Sequence, residues 1–278
     1  MDPFQSMTHA TVYIVITIFL FLFLSLKKNP FSVAGSFVHE LFTSRKYMLH
    51  FIAMLCILFF NKIELWVENR MNYNADFTSS IYRIEGNFVA AIQQMFQNDI
   101  LTYATSFFYV VVFPAVMLAS VGIYTYQKNY KLLYSVCYAL MFNYMIAIPF
   151  YLFFPVNEVW VFHPNVNLLI TNVFPTFESD YRPLSGLDNC FPSLHTSISV
   201  SMAIIALKSR SAFWRYFAPF SAAVIIFTIF YLGIHWLIDM FAGVLLGVFA
   251  ARLGLRISEG RLVLGERALL QRLKKSEM

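Results

Sequence analysis

The chain has 278 residues, of which 59% are hydrophobic, 18% aromatic and only 13% charged. A soluble domain of this size carries about a quarter charged residues, so an ordinary soluble fold is excluded and lipid must act as solvent over much of the surface. The length accommodates one membrane domain and no sizeable soluble catalytic module, and the net charge of +5 is read as a topology signal, not as a nucleic-acid footprint.

Seven apolar segments are long enough, or nearly so, to cross a hydrocarbon core of about 30 Å. They run roughly over residues 10–26, 47–66, 100–126, 132–154, 193–208, 213–232 and 235–254. The expected fold class is therefore all-α, a polytopic transmembrane helix bundle. No small-x-small cleavage site follows 10–26, which is read as a retained helix. The stretch to residue 46 reads as a cytoplasmic loop, so residues 1–46 form an N-terminal unit, 47–254 the main membrane domain and 255–278 a basic cytoplasmic tail. In residues 67–99, Ile81, Ile84, Phe88, Ile92 and Phe96 recur at helical spacing, as an amphipathic piece lying in the interface would have them. The fifth segment is short and carries Ser193, Thr196, Ser197, Ser199 and Ser201, so that face is expected to meet other helices and not lipid.

Lys and Arg in short loops set the orientation. With the N-terminus outside, 16 of the 20 basic residues fall on the cytoplasmic side, leaving Lys62, Arg70, Arg83 and Arg182 outside. Eleven of the fifteen acids lie outside or at the outer ends of spans. The expected location is a multi-pass protein of the cell membrane.

Ionisable groups at membrane depth are costly, which makes them functional candidates. His9, His39 and His50 lie near segment ends or in a cytoplasmic loop, and His163 lies in an outer loop. His195 follows Pro192-Ser193-Leu194, where the proline can open a helix and the first turn offers unpaired N–H groups to an anion. His235 and Asp239 are four residues apart at the outer end of the last span, a spacing that puts both on one helix face. A carboxylate beside imidazole fixes the tautomer and stabilises the charged ring, leaving the other nitrogen as a nucleophile. A structural polar pair between helices is the competing reading of these two residues taken alone. The same outer level for both histidines favours a phosphoryl-transfer site. Cys56 and Cys137 fall inside apolar runs, and Cys190, with no CxxC partner, argues against a metal or redox role.

Two segments carry a more specific resemblance. Thr228-Ile-Phe-Tyr-Leu-Gly-Ile-His235-Trp-Leu-Ile-Asp239-Met-Phe-Ala-Gly243 resembles the third signature of the type 2 phosphatidic acid phosphatase superfamily. Pro192-Ser193-Leu194-His195 resembles its second, in the form typical of the branch that includes inositol phosphorylceramide synthases, and Arg182-Pro183 resembles the end of its first. The resemblance implies a six-helix phosphatase core over 47–254 plus one additional N-terminal helix. It implies His235 as nucleophile, Asp239 as its partner and His195 as general acid. Arg182, Ser193, Leu194, Thr196 and backbone amides would hold the phosphate, with no metal and no cofactor. The implied partner is a phospholipid or polyprenyl-phosphate substrate in the bilayer. The activity is that of a lipid phosphatase acting on a monoester or diphosphate, or alternatively of a phosphotransferase with an alcohol acceptor. The family's usual Lys is replaced by Pro175, and its usual Ser-Arg by Thr228 and Ile229, so two phosphate-binding cations are absent and Arg83 or Arg70 would have to supply charge if Arg182 and the helix end do not suffice.

Overall fold

In the computed structural model the described residues are 4, 6–68, 70–71, 73, 75–181 and 186–260. Six helices are long and apolar enough to cross a membrane: α1 (Met7–Leu26), α3 (Arg45–Glu68), the continuous Asp99–Tyr126, α8 (Tyr130–Phe153), α12 (Ala212–Tyr231) and α13 (Leu237–Ser258). The shorter apolar α11 (Leu194–Ala206) is the expected fifth segment and completes the seven. The all-α bundle expected from the sequence is what these elements form. Loops of a few residues join α8 to the helix before it and α11, α12 and α13 to one another, and connections that short make antiparallel neighbours.

Two stretches depart from the expectation. Residues Pro30–Thr43, read as loop, form α2, opened by Asn29, whose side chain accepts from Phe31 N, and by a proline at the first position. The amphipathic piece is not one helix but two, α4 (Thr78–Glu85) and α5 (Phe88–Phe96). Gly86, at φ +56°, separates the two helices, and within α4 itself Ile81 is buried while Ile84 is exposed, so the stripe does not form one face.

Lipid tails are as apolar as leucine, so these helices associate by close packing and buried polar contacts. Helix α13 presents Gly243, Gly247 and Gly254 to its neighbours. A Cβ on Gly247 would lie 2.4 Å from Ser197 O, and one on Gly243 would lie 2.7 Å from Ser193 O, so α11 and α13 meet backbone to backbone. Ser201 donates to Gly247 O at 3.0 Å and accepts from Asn143 Nδ2 at 3.0 Å, joining α8, α11 and α13.

The span Asp99–Tyr126 is not uniform. Between α6 (Asp99–Phe107) and α7 (Phe113–Tyr126) lies a single π-helical turn, Phe108–Val112. Such insertions are rare and re-aim the side chains around them. Here they are Tyr109 and Phe113, both facing the site described next.

Candidate active site

The π turn of the Asp99–Tyr126 span, α8, the loop leading into α11, the start of α11 and the short turn between α12 and α13 line a cavity of about 110 Å³. His195 and His235 both line it, with ring centroids 6.4 Å apart. Tyr109, Phe113, Tyr144, Tyr151, Tyr181, Glu158, Asn189 and Cys190 complete much of the wall.

His235 is placed by backbone. Gly233, at φ +82°, turns the chain where any Cβ would meet Asn167 O at 2.6 Å, and His235 N then donates to Ile229 O at 3.1 Å. The helix begins only at Leu237, with Trp236 as its cap, so His235 precedes α13 and does not share a helix face with Asp239. The pair forms for a different reason from the one the spacing suggests. Asp239, in the first turn, folds back on the helix start, where its Oδ2 accepts from Trp236 N at 2.9 Å and lies 3.4 Å from His235 Nδ1. Asp239 is wholly buried, and its Oδ1 has no hydrogen-bond partner.

The next two amides of α13 are also taken by a carboxylate. Leu237 N and Ile238 N each donate to Glu85 of α4, both at 2.6 Å. Burial lifts the Glu85 carboxyl above its ordinary range, and these two bonds pull it partly back. Gln93 of α5 holds the preceding turn, donating to Asn167 O at 2.8 Å and to Tyr231 O at 3.0 Å.

His195 sits in the first turn of α11, and its neighbours are rings. Tyr109 stacks on it with centroids 4.1 Å apart and planes at 17°, and Phe113 lies at 4.4 Å. Its Nε2 has no hydrogen-bond partner. Ser193 caps the helix, its hydroxyl accepting from Thr196 N at 3.3 Å, while Ser193 N donates to Asp239 O at 3.1 Å and ties the two helix starts together. Leu194 and His195 are the first two helical residues, whose amides have no intrahelical acceptor.

Of the residues expected to hold phosphate, Leu194 lines the cavity, whereas Ser193 and Thr196 are buried and do not. Arg182 lies outside the described residues. Arg83 is exposed on α4 and Arg70 packs over the Trp66 ring at 3.6 Å, so neither reaches the cavity. Among the described residues lining it there is no Lys or Arg. His163 is occupied elsewhere, joining the α4–α5 turn at Asn87 Oδ1, 3.0 Å away. Two contributors escaped the sequence reading. Glu85 is far away in sequence, and Tyr109 depends on a π turn. Cys190, read from the sequence as a residue without a metal or redox role, lies against the turn that carries His235, its thiol donating to Ile234 O at 3.5 Å. For Glu85, an acid closing an interfacial helix was the available signal; Tyr109 had none.

A model of the PAP2 superfamily matches residues 81–253 and so takes in the cavity and both histidines. The crystal structure of Aquifex aeolicus LpxE aligns with a TM-score of 0.48 and 19% identity, over 62% of this chain and 95% of that one. No curated protein matches the chain.

Proposed function

The chain belongs to the PAP2 superfamily, and on that premise we propose that it is an integral-membrane lipid phosphatase working through a phosphohistidine on His235. The supporting observation is that two histidines face one cavity with ring centroids 6.4 Å apart, one of them held by a buried carboxylate. With Nδ1 turned to Asp239, Nε2 of His235 is the nitrogen that attacks phosphorus. As the N–P bond forms, the ester P–O bond breaks and His195 gives its proton to the leaving lipid oxygen. Asp239 stabilises the positive charge that grows on the His235 ring. In the second half, His195 takes a proton from water, which attacks phosphorus and releases phosphate. The Leu194 and His195 amides, together with Arg182, hold the phosphoryl oxygens. The Lys and Arg distribution supports reading this end of the bundle as the extracytoplasmic one.

A transferase reading, with an alcohol in place of water, is favoured by one observation. The described cavity wall has no cation and contains Glu158, a balance better matched to the single charge of a phosphodiester than to the two of a monoester. The deciding experiment offers the purified protein a panel of lipid phosphates and phospholipids, labelled at phosphorus, with and without alcohol acceptors. Acid-labile label on wild type and none on His235→Asn supports the phosphohistidine. Unchanged turnover in His235→Asn overturns it. Phosphate release without acceptor identifies the phosphatase, and product only with acceptor identifies the transferase.

A further inference from the structure

Cys190 takes no part in the proposed chemistry, yet it is buried against the groups that do. Its thiol, the His235 ring and the Asp239 carboxylate offer ligand atoms that all lie within 4.8 Å of one another, and all three residues are buried. We propose that these three side chains form a binding site for a thiophilic divalent cation, Zn2+ being the best match, and that its occupation switches the enzyme off.

Three features argue for it. A thiolate, an imidazole and a carboxylate are together the ligand set of zinc and not of Mg2+ or Ca2+. The 3.4 Å between His235 Nδ1 and Asp239 Oδ2 is long for a charge-assisted hydrogen bond. It is close to the ~3.4 Å separating two ligands of a tetrahedral zinc with bonds of ~2.0–2.1 Å. Asp239 Oδ1 is the independent observation, a wholly buried carboxylate oxygen with no hydrogen-bond partner, so the carboxylate keeps lone pairs for a cation although Trp236 N already takes its Oδ2. The cavity, which both Cys190 and His235 line, supplies the entry path and room for a water as fourth ligand.

Binding would release the thiol proton to solvent and leave a Cys190 thiolate on the metal. The carboxylate that stabilises the His235 ring would then be spent on the cation. A metal on Nδ1 also withdraws electrons from the ring and opposes the positive charge that phosphorylation of Nε2 must create. Inhibition follows without any change of fold.

The inference rests on His235 being the nucleophile, so the test reads turnover and binding separately. Lipid phosphate turnover by the full chain is measured against Zn2+ and against Mg2+, with chelator reversal. Binding is followed by the thiolate-to-metal ultraviolet band on titration with Cd2+, which needs no turnover. We expect Zn2+ to inhibit at concentrations where Mg2+ does not. In Cys190→Ser, whatever its basal rate, half-inhibition should need at least about ten times more Zn2+, and the Cd2+ band should vanish. It should persist when Cys56 and Cys137 are both replaced by Ser. Cys190→Ala serves if the serine variant fails to fold. Equal Zn2+ sensitivity in Cys190→Ser and wild type, or a Cd2+ band that survives the loss of Cys190, overturns the site. A band lost with Cys190 alongside active His235→Asn instead overturns the role of His235 and leaves the metal site standing.

Discussion

The two helix starts that meet at the cavity look alike in sequence, each having a histidine at or near the first turn, but they are finished differently. At α13 the first amides are consumed by carboxylates, Trp236 N by Asp239 and Leu237 N and Ile238 N by Glu85. At α11 the side-chain cap among the described residues is the Ser193 hydroxyl, on Thr196 N, and no described residue accepts from the amides of Leu194 and His195, the first two of the helix. A helix start carries about half a positive charge. Filled with acids, it leaves His235 facing no net repulsion as its ring becomes cationic. Left open, it attracts an oxyanion. The imidazoles follow the same division, with a carboxylate on His235 and only aromatic faces on His195. On the proposed mechanism, two similar termini serve as a nucleophile end and an anion end.

The largest effect should come from exchanging the histidines' fates. His235→Asn should lower turnover by at least about a thousandfold and abolish the labelled phosphoenzyme. His195→Ala should also be severely slowed, yet it keeps the nucleophile. With a substrate whose leaving group needs no proton, rapid-quench labelling should therefore still detect phosphoenzyme in His195→Ala, and none at all would mean that the ends are not specialised as described.

Next comes the distance between the ends. Gly247→Ala places a methyl 2.4 Å from Ser197 O and must push α11 away from α13. The expected cost is about 1–3 kcal/mol of stability. A shift of about 1 Å between catalytic groups can lower kcat about a hundredfold. A variant with lowered melting temperature but unchanged kcat would show that the spacing is set elsewhere.

Tyr109→Leu tests the aromatic side. It keeps bulk but removes the face stacked on His195, and kcat should fall about tenfold with little change in KM. An effect on KM alone would make Tyr109 a substrate contact instead.

Glu85→Gln is the mildest change, with kcat falling a few-fold because one of two amides loses its acceptor. The freed helix end should also make inorganic phosphate a tighter inhibitor. The pH dependence has a definite sign. The folded carboxyl holds its proton above the ordinary Glu value of about 4.3, so the folded state binds more protons than the unfolded chain. Stability from this group falls as pH rises from that value through the raised one. Thermal melts of Glu85→Gln in detergent should lose that slope, and an unchanged slope would remove Glu85 as its source.

Much of this could be read from the chain before any coordinates. Apolar runs fix the spans because their length is dictated by the bilayer, and the serines of 193–201 announced a helix packed on helices. His195, His235 and Asp239 were found because charge at membrane depth is rare. What escaped follows from long-range or non-periodic causes. Glu85 meets α13 across 152 residues of chain. Helical periodicity does not register an inserted π turn, so Tyr109 and Phe113 had no pattern to betray them. The loop before α13 put His235 off the helix, and only Gly233 hinted at it. The amphipathic stripe failed within α4, where Ile84 is exposed while Ile81 is buried, and again at Gly86, where a positive φ divides the piece into two helices.

The π turn at Phe108–Val112 also sets the phase of its span. One extra residue in an α-helix is worth about 100° of rotation. Upstream of it, α6 meets Tyr231 through the Thr102 hydroxyl at 2.8 Å; downstream, Tyr47 bonds Thr125 at 2.7 Å. Shortening the span by one residue to restore a regular helix would swing one half out of step with the other. Either the clamp on His195 or the docking of the half away from the cavity would be preserved, never both. The active site and the opposite end of the bundle are therefore geared through a single irregular turn.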